Sequence, residues 1–512
     1  MSLRSNGAAT RDTTSVLKVF VIEIALACLG FGAPQLAAAQ DVPAFAPGMI
    51  NHMQQMKLFK DVDHGQQPTP PVIPRFSFDS DPTGAVATFQ PNGATFTSNN
   101  AFFQNLGTNG RTCFSCHQPQ DGWSVSAADV ATRFATSRGT DPIFRLVDGA
   151  TCPSDDVSNF AAKQRAYKLL IDRGLIRIGL PIPATAQFVV TAVDDPYNCN
   201  TNPTTGLTST TTGIVSTYRR PLPSTNLGFL SAIMWDGREP SLTSQAIDAT
   251  LGHAQGSAQP TAAQLAEIVA FESGIFAAQA FDDRAGDLAA DGSTGGPVAL
   301  SLQLAKFFIG VNDPLGQNPT KAQFTSQIFD LYLPWLGLHG HEDTAKRQSI
   351  SRGEEVFNNT NINITGVSGL NDDLNVASIP GFCGTCHDTP NSGNHSVKAP
   401  LDIGIPDAGV NKPPVLDISG LPVFTLTCTQ EGPLKGRIYK VTDAGKAMIS
   451  GQCKDIGRFK GPILRGLASR APYFHNGSAA TLLDAVNFYD QRFAIGFTDQ
   501  QKTDLVNFLN SL

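Results

Sequence analysis

Cys113-Phe114-Ser115-Cys116-His117 has the form Cys-x-x-Cys-His. This is the attachment signature of a c-type haem: both thiols form thioethers with the vinyl groups, and the adjacent histidine can bind the iron from one face. The pattern returns at Cys383-Gly384-Thr385-Cys386-His387. A single such run could arise by chance or serve as a redox Cys-x-x-Cys pair. Two of them, in a chain with only 9 cysteines, are hard to explain otherwise. A zinc ribbon needs four ligands at matched spacing and gives no reason for a histidine in the same slot after each pair. Two covalently bound c-type haems are therefore expected.

The chain has 512 residues, enough for about two to four domains and a sizeable core. Hydrophobic content of 41% and charged content of 16% describe a globular, weakly charged chain. With 47 glycines and 34 prolines, long irregular connections between short elements are expected. The net charge of −7 and the lack of a basic stripe argue against a nucleic-acid partner. Residues 1–39 read as a signal peptide: Arg4, Arg11 and Lys18 precede an apolar run over 19–32, and Ala37-Ala38-Ala39 offers a cleavage site. No other apolar run reaches the roughly 18 residues of a membrane span. The expected location is periplasmic or secreted, an oxidising setting in which c-type haem is also attached. There an even set of further cysteines favours disulfides, Cys152–Cys199 and Cys428–Cys453, each bracketing a long loop within one half of the chain.

Along the chain, residues 41–95 read as a Pro-rich lead-in, with His52 and His64 solvated and Met49, Met53 and Met56 packing. Arg111, just before the first motif, is a candidate to pair a haem propionate. Residues 124–217 read as a loop-rich wall or lid with one helix over 161–174. A dense stretch follows: Arg219-Arg220-Pro221, then Met234-Trp235-Asp236-Gly237-Arg238, then Gln245-Ala246. Thr261-x-x-Gln264 is a capping box, and Leu265, Ile268, Val269, Ile275 and Phe276 continue as one helical face. Helices are predicted near 300–309, 323–331 and 344–357, with His339 and His341 in a linker. His395 has no assigned role. Thr481-x-x-Asp484 and Thr498-x-x-Gln501 open the last two helices. Gly237 pairs with Gly477, and Leu242 with Leu482, at equal spacing, which suggests an internal repeat. The expected architecture is mainly α and loop-rich with long insertions: an N-terminal haem domain over 40–343, and a C-terminal cytochrome c-like haem domain over 344–512.

Both haem motifs, the Trp235-Asp236-Gly237-Arg238 segment with Gln245-Ala246, and Ala471-Pro472-Tyr473-Phe474-His475 resemble the bacterial di-haem cytochrome c peroxidase family. That family includes the di-haem enzyme that matures methylamine dehydrogenase, and related di-haem oxygenases share its architecture. The resemblance runs from about Asn100 to the C-terminus, less the 124–217 insertion. It implies hydrogen peroxide reduction at the first haem, electrons relayed through the second from a small redox protein, and Trp235 between the two. Dioxygen chemistry, a maturation-type oxidant, a pure electron carrier and a homodimer stay open.

Three departures stand out. Gln255 occupies the position of the family's glutamate, and His253, two residues away, can move protons in its place. Residues 118–133 contain no histidine to cap the first iron, so its outer face is expected open. Arg220 replaces the calcium ligand that precedes the tryptophan, which speaks against an interdomain calcium. For the second iron, bound by His387, Met448, His475 and Tyr489 compete as sixth ligand. The tyrosine of the maturation enzyme matches Tyr489, so Tyr489 is expected over His475.

Overall fold

The computed structural model describes residues 69–200, 213–306, 310, 313–317, 323–340 and 343–512. The signal peptide, His52, His64, His341 and the methionines of the lead-in lie outside the described residues. Among the described residues, 31% are helical and 18% strand, distributed over several small sheets. This corrects the mainly α expectation to a mixed α/β fold.

Several strands are short or buried on both faces, and these lack the alternation that reveals a strand in sequence. Phe276–Asp282 is the clearest case: every residue except Phe281 is buried, and Ala277, Ala278 and Ala280 let neighbouring chains approach. The preceding helix, Ala262–Gly274, opens at the predicted Thr261 capping box but stops at Gly274. Ile275 and Phe276 therefore leave the helical face to which the sequence assigned them. The strand sits in a four-stranded antiparallel sheet between Gly84–Phe89 and Gly286–Asp287, with Phe76–Asp81 outermost beside Gly84–Phe89.

The inserted segment is more ordered than its composition suggests. Its predicted single helix is two, Phe160–Ala166 and Lys168–Arg173. Strand Ile176–Pro181 pairs with Ile214–Arg219. Strand Phe188–Asp194 pairs antiparallel with Val423–Cys428, which pairs in turn with Ile438–Val441. Disulfides Cys152–Cys199 and Cys428–Cys453, with Cα–Cα distances of 5.5 and 6.1 Å, brace the segment and the sheet it joins.

Residues 323–331 are not helical. Ile328, Phe329 and Leu331 are irregular chain buried in a core with Tyr332, Trp335 and Phe508. Helix Thr344–Asn359 crosses helix Asp499–Asn510 beside this core. Gly353 permits the crossing: a Cβ there would fall 2.0 Å from the Asp504 carbonyl oxygen. Burial of Leu505 and Phe508 stabilises the pair by about 1.5–3 kcal/mol each. No helix among the described residues is long and apolar enough to cross a membrane.

Candidate functional site

Cys113–Ser115 forms one turn of 3-10 helix, closed when the Thr112 N–H donates to Ser115 Oγ at 3.0 Å. The His117 N–H donates to the Cys113 carbonyl at 3.0 Å, which continues the turn through the histidine. His117 Nδ1 lies 3.0 Å from the Trp123 carbonyl, so Nδ1 carries the proton and Nε2 is left with its lone pair. Burial pushes His117 down to about 4, which keeps it neutral. Trp123 is held by its own indole N–H, which donates to Thr88 Oγ1 at 2.8 Å on strand Gly84–Phe89. The sheet missing from the sequence reading thus anchors the first histidine.

The second motif repeats this arrangement. The Phe382 N–H donates to Thr385 Oγ1 at 2.9 Å, and His387 Nδ1 lies 2.6 Å from the Gly393 carbonyl. Each histidine therefore rests on a carbonyl six residues further on. Each also has a phenylalanine ring at 6.2 Å, Phe102 for His117 and Phe357 for His387. All four motif cysteines are free, and burial pushes every one of these thiols up, to about 12 for Cys383 and Cys386. That disfavours the thiolates of a zinc ribbon or a redox dithiol. No group of three or more metal-ligating side chains occurs among the described residues.

A cavity opens beside the second motif, with Cys383, Cys386 and His387 on its wall among apolar residues such as Ile364, Leu401, Ile403 and Phe493. His475 and Tyr489 share this wall. Tyr489 is pushed up by burial and next by the neighbouring Cys386 and Cys383, which places it beside the thiols. His475 has different neighbours. Burial pushes it down to about 3, Asp443 and Arg219 act on it electrostatically, and its ring stacks on Phe459 at 3.9 Å. Its Nε2 is buried without a hydrogen-bond partner among the described residues. Met448 packs elsewhere, in the core around Phe424 and Leu426.

Trp235 lies on the same cavity. Its indole N–H donates to the Arg220 carbonyl at 2.8 Å, and its own carbonyl accepts from the Lys460 N–H at 2.9 Å. Next to it, Arg219 joins Asp236 at 2.5 Å and Asp443 at 2.6 Å, all three buried. The internal repeat is visible here. Met234 and Phe474 have φ of +66° and +67°, Gly237 and Gly477 +70° and +63°, and bridges Ile233–Glu239 and Tyr473–Ala479 close the two turns. Arg220, at the expected calcium position, instead donates to the carbonyls of Arg173, Gly174, Val125 and Arg470.

Near the first motif the structure departs from expectation. Arg111 is not free for a propionate: its guanidinium grips both Asp148 oxygens, at 2.6 and 2.8 Å, and donates to the Pro142 and Ile143 carbonyls. Asp148 Oδ2 also lies 2.5 Å from His253 Nδ1. Burial raises the Asp148 carboxyl, but Arg111 and His253 outweigh it and hold the group below its usual value. Gln255 is exposed, with its carboxamide oxygen accepting from Asn109 Nδ2 at 3.3 Å.

No family model matches the chain. Curated relatives do. Cytochrome-c peroxidase IdrP1 of Denitromonas iodatirespirans is 30% identical over 146 residues, covering 25% of this chain and 36% of the relative. Cytochrome-c peroxidase IdrP2 of the same organism is 31% identical over 139 residues, covering 26% and 36%. These matches support the di-haem cytochrome c peroxidase family. The chain spans 36% of the length of these relatives. A solved structure of a MauG-like protein associated with microbial copper homeostasis aligns over 81% of this chain and 86% of its own, with 16% identity and a TM-score of 0.36.

Sequence reasoning overlooked three residues, Trp123, Asp148 and Lys460, and gave His395 no role. The carbonyl of Trp123 could have been sought at a fixed distance after Cys-x-x-Cys-His. His395 Nδ1 lies 3.0 Å from the Cys386 carbonyl, and its Nε2 is buried and unpartnered among the described residues. Lys460 lines the cavity, and burial and Arg470 push it down to about 7. Asp148 has no local signal at all.

Proposed function

We propose that the chain is an exported di-haem c-type cytochrome oxidoreductase, with one haem domain on each side of about residue 343. It reduces hydrogen peroxide at the N-terminal haem, with electrons relayed through the C-terminal haem. The observation that carries this reading is the duplicated histidine setting, His117 on Trp123 and His387 on Gly393, with Trp235 on the wall of the second cavity.

The donors that two haems would need are present: four free thiols stand at two motifs, and a mostly apolar cavity adjoins the second, with His475 on its wall and its Nε2 unpartnered among the described residues. No carboxylate lies within salt-bridge reach of Lys460 among the described residues, so a propionate suits it. Cys113 and Cys116 would hold one haem, Cys383 and Cys386 the other. His117 and His387 would be the iron ligands. Tyr489, on the same cavity wall as Cys383 and Cys386, would be a further iron donor in preference to His475.

Bound haem supplies the one-electron chemistry that peroxide reduction needs. The net change is H2O2 + 2 H⁺ + 2 e⁻ → 2 H2O, with electrons from a small reduced redox protein. The chain's own residues do the rest. His117 is kept neutral and aimed by the Trp123 carbonyl. His253 takes a proton from the entering oxygen and returns it to the leaving one. Trp235 shortens the path between the two groups.

The test is to reduce the haem-loaded protein by one electron and mix it with hydrogen peroxide under a rapid-scan spectrometer. Oxidation within the dead time to seconds, at one peroxide per two electrons, is expected. A protein inert to peroxide but reactive with dioxygen would replace this reading with an oxygenase one.

A further inference from the structure

We propose that Asp148, contributed by the inserted segment, is the positioning residue that orients His253 and fixes its tautomer, and that Arg111 locks Asp148 in place. This rests on the reading that the first motif holds the peroxide-reactive haem.

The three side chains form a chain of contacts. Asp148 Oδ2 accepts from His253 Nδ1 at 2.5 Å, and Arg111 holds both Asp148 oxygens. Arg111 and Asp148 are nearly sealed from solvent, at 3% and 5% side-chain exposure, whereas the His253 side chain keeps 37%. A purely structural triad would bury its histidine too. Here Nδ1 is spent on the carboxylate, and Nε2 makes no hydrogen bond among the described residues. The group stands at the first motif: Arg111, two residues before Cys113, holds Asp148 at 2.6 Å, and Asn109 Nδ2 donates to the His253 carbonyl at 2.8 Å.

Asp148 is fixed from both sides. Its carbonyl accepts from the Arg177 N–H at 2.7 Å, near the start of strand Ile176–Pro181, and Arg111 ties down the Pro142 and Ile143 carbonyls of the same loop. The arrangement has an electrostatic reason. Arg111 Nη1 and His253 Nδ1 both contact Asp148 Oδ2, at 2.8 and 2.5 Å, so the carboxylate stands between the guanidinium and the imidazole. With Nδ1 donating to Asp148, Nε2 carries the lone pair. The insertion is thus part of the proton machinery.

The test uses cyanide, because hydrogen cyanide must lose its proton to a nearby base before it binds ferric haem. Stopped-flow association of cyanide with the haem-loaded protein is compared for wild type, Asp148→Asn, His253→Gln and the double variant. Both single variants are expected to bind at least tenfold more slowly, and the double variant no more slowly than His253→Gln alone. The absorption of the second haem should be unchanged, which separates the effect from misfolding. Should Asp148→Asn fail to load haem, Asp148→Ser takes its place with the same expectation. Wild-type cyanide kinetics in the Asp148 variant, or multiplicative losses in the double variant, would overturn the proposal. A wild type inert to peroxide whose cyanide uptake still depends on Asp148 sinks the peroxide reading and leaves this role standing. Peroxide turnover with cyanide uptake indifferent to Asp148 does the reverse.

Discussion

The indole of Trp235 and the imidazole of His475 stand 6.1 Å apart, centroid to centroid, with their planes at 63°. Trp235 comes from the N-terminal half of the repeat and His475 from the equivalent turn of the other half, so this ring contact joins the two repeated turns. Trp235→Phe keeps a ring but loses the indole and its hydrogen bond to the Arg220 carbonyl. Electron transfer between the haems should slow by tenfold or more, while stability falls by only about 1 kcal/mol. Flash reduction of one haem, followed at the other, measures the rate. An unchanged rate would remove Trp235 from the path.

Arg219 neutralises two buried carboxylates at once, Asp236 and Asp443. Arg219→Met should destabilise the protein by about 3–5 kcal/mol, because buried Asp443 would be left without a counter-charge while Asp236 keeps Arg238. The loss should appear as a lower denaturant midpoint with both haems still attached. A variant as stable as the wild type would mean that the acids find another partner.

Thioether links survive denaturation. Acid-acetone treatment should leave two haems on the polypeptide, and Cys113→Ala/Cys116→Ala should leave one. Mass spectrometry of the denatured chain counts them. Release of either haem from the wild type would refute covalent attachment.

Tyr489 and His475 can be separated by spectroscopy. Tyr489→Phe should remove the six-coordinate signature of the second ferric haem and leave the first untouched, whereas His475→Ala should shift the band without removing it. The opposite pattern would make His475 the ligand.

Glu272 carries a pH signature. Burial pushes its carboxyl from 4.5 up to about 7, against a hydrogen bond from Ser224. The folded state therefore holds this proton more tightly than the unfolded chain does. Its contribution is complete below about pH 4.5 and is lost as pH rises through 7. Glu272→Gln should match wild type near pH 4 and exceed it near pH 8 by about 2–3 kcal/mol. Melting curves at the two pH values decide this, and an equal offset at both would refute it.

The parts legible in the sequence were those whose chemistry fixes local spacing. Each Cys-x-x-Cys-His run closes one 3-10 turn, and the Thr261, Thr481 and Thr498 caps each span one helical turn. Strand Phe276–Asp282 escaped because its alanines are buried on both faces, which looks like more helix. The Asp148–His253 contact escaped because its partners are 105 positions apart and nothing near either one points to the other. Arg111 misled for a related reason: its place beside a haem motif suggested a propionate, yet its partner lies 37 positions away.

Strand Phe188–Asp194 finds its partner in Val423–Cys428, with Thr191 and Thr425 separated by 234 positions. Closing so long a loop is slow, since its entropy is lost before any pairing is gained. As the chain is synthesised, the earlier strand must wait with its backbone edge bare until the later one arrives. That interval exposes a pairing edge to other copies of the same chain. Overproduction would then meet its limit in assembly, and a low rate of synthesis should raise the yield of native protein more than added haem does.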